Sequence, residues 1–453
     1  MFWLLIVLIV VPPAILLSLR YLQLRRDFIP LTIYLQYIVY LQIAPYIYLK
    51  TYMAGEDDGN YYELMWASAL FFELPFWIIY VFLFKIDLSF WIKTRRRYVT
   101  KKSEYWAFTY TLILAIAFIF VVFRRNLGFM WYGNEENTRI ISSLPVLDWI
   151  VFRGYMQSAL LIALSWFLFN KHKQISRFEL IASAIAFLPW LIWSSINSRS
   201  NVVVAAVFVT AILVRKTISI KSLGRIALVA IGACYCMMVV LSARAEWSEQ
   251  GDLSWSVLKP TAGNATSGPS SLTQRLNGID AMALMKDGID ANGPAWGEAW
   301  IKPLWFAVSQ PFRRLAGLDP KEFVGSTKVI LLKEYASIDV PDYASCLLTD
   351  AYGNLGYLGF LMISILSAVA CAIGTKGWTA EGTVPAAFGL FLFYNIFTFE
   401  SDVISLAYGW LRTAIFIVPF WAILFKRRRV IRPLTPAIQC SHRFTHKLTT
   451  VEH

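Results

Sequence analysis

Six arginines and three carboxylates carry the chemistry open to this sequence. Arg153, Arg199 and Arg412 lie in or at the edges of long apolar segments, and Arg275, Arg313 and Arg314 lie in a polar stretch between two such segments. Asp350, Glu400 and Asp402 fall among them. Ionisable side chains are costly in a bilayer, so those beside spanning segments mark functional positions by default. Arginine offers a planar fork of donors that stays charged at any working pH and grips phosphate oxygens bidentately. Several converging arginines would hold a diphosphate and stabilise it as it departs. A carboxylate could then take the proton of an attacking hydroxyl.

Each candidate also has a structural reading. Arg313 and Arg314 could form a solvated face, Arg153 and Arg412 could pair with Asp148 or Glu400, and Asp350 could cap the helix it begins. The acidic runs 400–402 and 56–58 have the charge for a divalent cation, but neither has a third ligand nearby in sequence. Neither a metal nor a cofactor is expected.

The elements that must position these residues are membrane helices. The chain has 453 residues, of which 57% are hydrophobic, 16% aromatic and only 16% charged, outside the range of soluble domains. A span needs about 20 mainly apolar residues. Eleven candidates emerge: 2–19, 28–49, 61–84, 106–123, 149–169, 178–196, 201–214, 225–243, 350–373, 383–399 and 404–425. The fold class expected is therefore an all-α polytopic membrane protein with one large loop that holds short helices.

Basic clusters follow the odd-numbered spans, including Arg20, Arg25 and Arg26, the run 93–97, the run 171–177, the run 215–225 and the run 426–429. Lys and Arg in short loops mark the cytoplasmic side, so the N-terminus is expected outside and the C-terminus inside. The layout is then helices one to eight in 1–242, an extracytoplasmic segment 243–345, helices nine to eleven in 346–425, and a basic tail 426–453. All four histidines, His172, His442, His446 and His453, fall on the cytoplasmic side, which leaves only carboxylates as an outer general base. The net charge of +13 is dispersed over loop ends, which suits anionic lipid headgroups and not nucleic acid. The first apolar stretch lacks a basic leader and a cleavage site, so it reads as a retained helix. Of five cysteines only Cys346 lies near the outer face, so the loop has no disulfide framework.

Within the outer segment, residues 261–271 read as a polar linker and 271–288 as an amphipathic helix capped by Ser271. Leu272, Leu276, Ile279, Met282 and Ala283 tend to one side of that helix. Trp296, Trp300 and Trp305 suit a membrane interface. After Asp350, Gly353, Gly356 and Gly359 recur every third residue, as at a close helix–helix contact. Neither an internal repeat nor a charge at the bilayer midplane is visible, which weighs against a transporter.

The turn SRSN at 198–201, the long outer loop, and SCLLTDAYGNLGYLGFL entering the next span resemble the Wzy-type O-antigen and exopolysaccharide polymerases. Tyr352, Gly353, Asn354, Gly356 and Gly359 carry most of the resemblance, supported by Arg199, Arg275 and Arg412, and it covers roughly residues 190–420. Arg275 and Gly288 are spaced more widely than the Arg–Gly pattern described for that family. The resemblance implies a GT-C type glycosyltransferase of the bacterial inner membrane, related to the O-antigen ligases. Its substrate would be an undecaprenyl-diphosphate-linked oligosaccharide, polymerised at the outer face, with a flippase and a chain-length regulator as partners. It further implies a substrate cleft at Tyr352, Gly353, Asn354 and Gly356. An O-antigen ligase, which usually carries an outer-loop histidine, and a lipid or polysaccharide transporter are the alternatives.

Overall fold

The computed structural model describes residues 2–23, 26–52, 59–85, 101–125, 144–168, 177–190, 204–208, 210–211, 232, 277–301, 327–338, 346–379, 383–397 and 403–425. Among these the ordered elements are all helical. In chain order they are α1 (Phe2–Ser18), α2 (Phe28–Ile38), α3 (Ala44–Tyr52), α4 (Gly59–Ser68), α5 (Leu74–Lys85), α6 (Lys101–Arg124), α7 (Val146–Leu168) and α8 (Arg177–Trp190). They continue with α9 (Asp280–Asn292), α10 (Thr327–Ala336), α11 (Leu347–Leu355), α12 (Tyr357–Thr379), α13 (Thr383–Phe397) and α14 (Val403–Leu424). Five continuous helices among the described residues are long and apolar enough to cross a membrane: Phe28–Thr51, Gly59–Lys85, Lys101–Arg124, Leu147–Trp166 and Tyr357–Thr379. Most of the expected spans 201–214 and 225–243 lie outside the described residues, as do most of the loop 243–345 and the tail 426–453.

The surface of α6 carries the membrane signature. Ile113, Ile116, Phe120 and Phe123 share one face by helical spacing and are all more than half exposed. Water would not tolerate such a stripe; hydrocarbon accepts it. The opposite face, with Leu114, Phe118, Val121 and Val122, is buried.

Two helix groups pack side by side. In the first, α1, α2 and α5 gather around α12 and α13. Its core is a stack of aromatic rings, with Tyr37 edge-on to Phe72 at 4.5 Å and Trp77 edge-on to Phe76 at 5.1 Å. The backbones of α12 and α13 touch: a Cβ on Gly389 would stand 2.5 Å from the Gly374 carbonyl oxygen. The second group is α6, α7, α8 and α14, joined to the first through α13. Here Phe118 stacks on Tyr155 at 4.4 Å, and the Tyr155 hydroxyl donates to the Ala186 carbonyl at 2.8 Å.

Two of these continuous helices each contain a π turn, and one of the turns carries a carboxylate at mid-span, contrary to the expectation that no charge lies at the midplane. Halfway along each, the α-helix loosens into a π turn, at Val39–Ile43 and at Ala69–Glu73. A π turn inserts one extra residue and recurs at functional sites. Each turn here contributes one buried polar side chain, Gln42 and Glu73, and the Gln42 amide donates to Glu73 Oε1 at 3.2 Å.

The expected single span 350–373 is also corrected. It is two helices, α11 and α12, broken at Gly356, whose φ of +58° suits glycine. A Cβ on Gly359 would meet the Ala351 carbonyl oxygen at 2.2 Å, so only glycine allows this turn. The glycines therefore do not line one continuous helix.

The amphipathic helix expected at 271–288 begins later, at Asp280. The reason is Asn277, whose Oδ1 accepts from the backbone N–H of Ile279 at 3.2 Å and of Asp280 at 3.1 Å. The helix runs on to Gly293, which ends it with φ +77°. Ser271, Leu272 and Leu276 lie outside the described residues, while Ile279 and Met282 are buried as their periodicity requires.

Candidate functional site

α11 is a short helix buried on every side, and it ties the segment 277–301 to the helix bundle. All residues from Leu347 to Asn354 are buried. Its start is held by Thr349, whose Oγ1 accepts from the Cys346 backbone N–H at 3.1 Å and donates to the Gly278 carbonyl at 3.3 Å. The Gly278 N–H in turn donates to the Tyr40 carbonyl, inside the first π turn, at 3.0 Å. The cap expected from Asp350 is thus supplied by Cys346 and Thr349.

Asp350 instead organises the other elements, and is only 1% exposed. Its Oδ1 accepts from Trp300 Nε1 at 3.0 Å and from Asn354 Nδ2 at 3.1 Å. Its Oδ2 accepts from the Val403 backbone N–H at 2.8 Å, at the first residue of α14. A carboxylate against the first turn of a helix complements the macrodipole as well as an orphan donor. Asp350 therefore caps α14, the helix that carries Arg412, and pins it to the segment 277–301 through Trp300.

Of the four residues expected to line a cleft, Tyr352, Gly353 and Asn354 are packed, whereas Gly356 has open space where a side chain would stand. The Tyr352 ring stacks on Phe360 at 5.5 Å. A Cβ on Gly353 would collide with Leu331 of α10 at 2.6 Å, and the Gly353 carbonyl accepts from the Ala295 N–H at 3.0 Å. Asn354 is fully buried.

Two of the six arginines fall within the described residues, and the structure brings them together. The Arg412 guanidinium lies 4.7 Å from the centre of the Trp149 ring on α7. Arg153 is one turn further along the same helix, close enough for Arg412 to oppose its charge. Both stand where α14 presses on α7; a Cβ on Gly154 would overlap the Phe416 ring. The expected pairing of Asp148 with either arginine is corrected: Asp148 is taken by Arg125 at 2.6 Å. The two positive charges oppose one another across the α7–α14 contact, and an anion there would be attracted to both. Arg199, Arg275, Arg313, Arg314, Glu400 and Asp402 lie outside the described residues.

Above the bundle, α9 is clamped to α4. Lys286 Nζ pairs with Asp290 at 2.6 Å and Glu63 at 3.3 Å, and its hydrogen bond to Asp290 leads the contacts that hold its ammonium above the usual lysine range. Tyr61 donates to Asp280, and Tyr357 to Glu63.

Sequence reasoning missed Glu73. It is 1% exposed, halfway along a span, and both its Oε2 and Gln42 Oε1 are buried acceptors without a hydrogen bond. The signal was present, because Glu73 is the sole charge in the apolar run 64–84. Among the described residues no three His, Cys, Asp or Glu side chains gather where a metal ion could sit.

Compared with family models, with curated proteins and with solved structures, the chain matches none.

Proposed function

We propose that this chain is a membrane glycosyltransferase that polymerises undecaprenyl-diphosphate-linked oligosaccharide repeat units into a surface polysaccharide. The observation that carries the reading is the Arg153–Arg412 pair on its Trp149 shelf. The reaction it would serve has a hydroxyl of the acceptor sugar attack the anomeric carbon of the donor. The bond from that carbon to the lipid diphosphate breaks, and the forks of Arg153 and Arg412 take up the charge that develops on the leaving oxygens. The proton of the acceptor hydroxyl would pass to Glu400 or Asp402, which lie just before α14. Asp350 is a positioning residue in this scheme, since its oxygens hold α14 and Trp300. The protein would work at the outer face of a bacterial inner membrane, with its N-terminus outside and its C-terminus in the cytoplasm. A flippase and a chain-length regulator would be its partners.

One observation favours a second reading, a lipid or polysaccharide transporter. Transporters place polar side chains near the bilayer midplane, and Gln42 and Glu73 are buried at π turns halfway along their spans.

The two readings separate in a purified system. Detergent-solubilised protein given lipid-linked repeat units should extend them into a ladder of longer glycans, with free undecaprenyl diphosphate released. Arg153→Ala and Arg412→Ala should abolish the ladder. Movement of the substrate across proteoliposomes with no change in glycan length would reject the polymerase.

A further inference from the structure

At the end of the bundle remote from Asp350 and the arginine pair, the turn between α1 and α2 and the last turns of α5 enclose a small basic pocket. It has a volume of about 250 Å³ and is lined by Arg20, Tyr21, Arg26, Tyr80, Phe84 and Lys85, among others. Thr375, near the end of α12, bonds the Tyr80 hydroxyl at 3.0 Å, whereas Asp350 precedes the start of α12. A 23-residue helix is roughly 35 Å long, so the two sites are a membrane thickness apart.

The pocket is built from ordered parts. Asp27, fully buried, accepts from the Tyr80 hydroxyl at 2.6 Å and from the Gln23 N–H at 2.7 Å, and pairs with Arg26 at 2.8 Å. That carboxylate fixes Arg26, whose guanidinium lies 4.2 Å from the centre of the Phe84 ring. Its Nη1 has no protein acceptor among the described residues. Lys85 lies 4.3 Å from the Tyr21 ring, without a carboxylate partner among the described residues. Arg20 has no ion pair among the described residues, and its φ of +59° is a left-handed conformation that a side-chain-bearing residue rarely adopts. Such strain concentrates at ligand clamps. Among the described residues three lining cations face one carboxylate, and Lys376 adds a fourth positive charge 5.5 Å from the Phe84 ring, so the pocket is net positive.

The surroundings select the anion. Leaving the pocket along α1, Ile15, Val11, Val10 and Val7 are all exposed apolar side chains, and Val81 and Phe84 form an apolar wall. A ligand with a phosphate head and hydrocarbon tails matches both parts. We propose that this pocket binds the phosphate headgroup of an anionic phospholipid, with its acyl chains laid along the exposed side of α1. The basic loops place this end of the bundle in the cytoplasmic leaflet, where a bound headgroup would fix the α1–α2 turn against α5.

Native mass spectrometry of the full chain, released from detergent with defined lipids, tests the site. The probes are a phosphatidylglycerol and a phosphatidylcholine with the same acyl chains. Wild-type protein should retain phosphatidylglycerol in preference to phosphatidylcholine. Each positive charge near a headgroup is worth about five-fold in affinity, so Arg20→Gln/Lys85→Gln should lose roughly 25-fold. Both side chains are exposed, so the fold does not depend on them. Lys101→Gln/Lys102→Gln, two exposed cations on α6 away from the pocket, should keep wild-type retention. Three outcomes would overturn the assignment: no preference for phosphatidylglycerol in the wild type, equal loss in both double variants, or displacement of the lipid by inorganic phosphate, which would make the ligand a soluble phosphate.

Discussion

Asp350→Asn separates two jobs that a carboxylate at the head of α14 can have. Among the aspartate's partners are three donors to its two oxygens, Trp300 Nε1 and Asn354 Nδ2 on one side and the Val403 N–H on the other. Asparagine keeps the shape but has one oxygen. Whichever way its amide turns, an NH₂ group faces a donor: the Val403 N–H in one orientation, Trp300 and Asn354 in the other. Loss of a charge-assisted bond with a buried donor left unpaired costs about 1.5–3 kcal/mol, and loss of the negative charge at the start of α14 adds about 0.3–1 kcal/mol. The sum is about 2–4 kcal/mol, a melting-temperature drop of several degrees. Trp300→Phe removes one of the three bonds and should move the melting temperature in the same direction by less. The assay is thermal unfolding of purified Asp350→Asn beside its rate of glycan extension. A general base instead contributes about 10²–10⁴-fold in rate and leaves stability alone. A variant that melts with the wild type but has lost that much activity would refute the positioning role.

Three further outcomes follow from the packing. Trp149→Leu removes the ring beneath Arg412, a contact worth about 0.5–2 kcal/mol; glycan extension should fall between about two-fold and thirty-fold with protein yield unchanged, and normal chain lengths would show that Arg412 needs no shelf. Gly389→Val forces a side chain into the Gly374 backbone at 2.5 Å and should cost at least about 1–3 kcal/mol, read as early aggregation on heating. Gly409→Ala is its control: the nearest atom to a new Cβ is 3.9 Å away, so that variant should melt at or above the wild type. Lys286 titrates above the ordinary lysine range because of Asp290 and Glu63. Its contribution is therefore complete below about pH 10.4 and is lost as pH rises through the raised value. Its partners are about half exposed, so the contribution stays below about 1 kcal/mol. Lys286→Gln should melt slightly below the wild type at neutral pH, and that gap should close under strongly alkaline conditions; a constant gap would assign Lys286 a packing role only.

Composition and period were sufficient to recognise a helical membrane protein, because a span must satisfy its own backbone and face hydrocarbon, and both demands are written along about 20 consecutive residues. The same local logic located the boundaries of α6, α7, α13 and α14 to within a few residues, save the first turn of α6, where the polar run 101–105 hides the start. It marked Asp350 and Arg412 as charges out of place. What those charges touch was not legible, since hydrogen bonds between residues far apart in sequence leave no periodic trace. Asp350 was expected to cap its own helix and caps α14, because Thr349 beside it already serves Cys346. Asp148 was a candidate partner for Arg153 and binds Arg125. The π turns at Gln42 and Glu73 escaped for a related reason: one extra residue in an apolar run changes neither hydropathy nor length, and only the tertiary structure shows the two turns meeting. Side-chain type and spacing settle what a segment is made to lie against; which polar group satisfies which is settled only when the helices close, because a buried carboxylate takes whichever donors the packing brings within 3 Å or so.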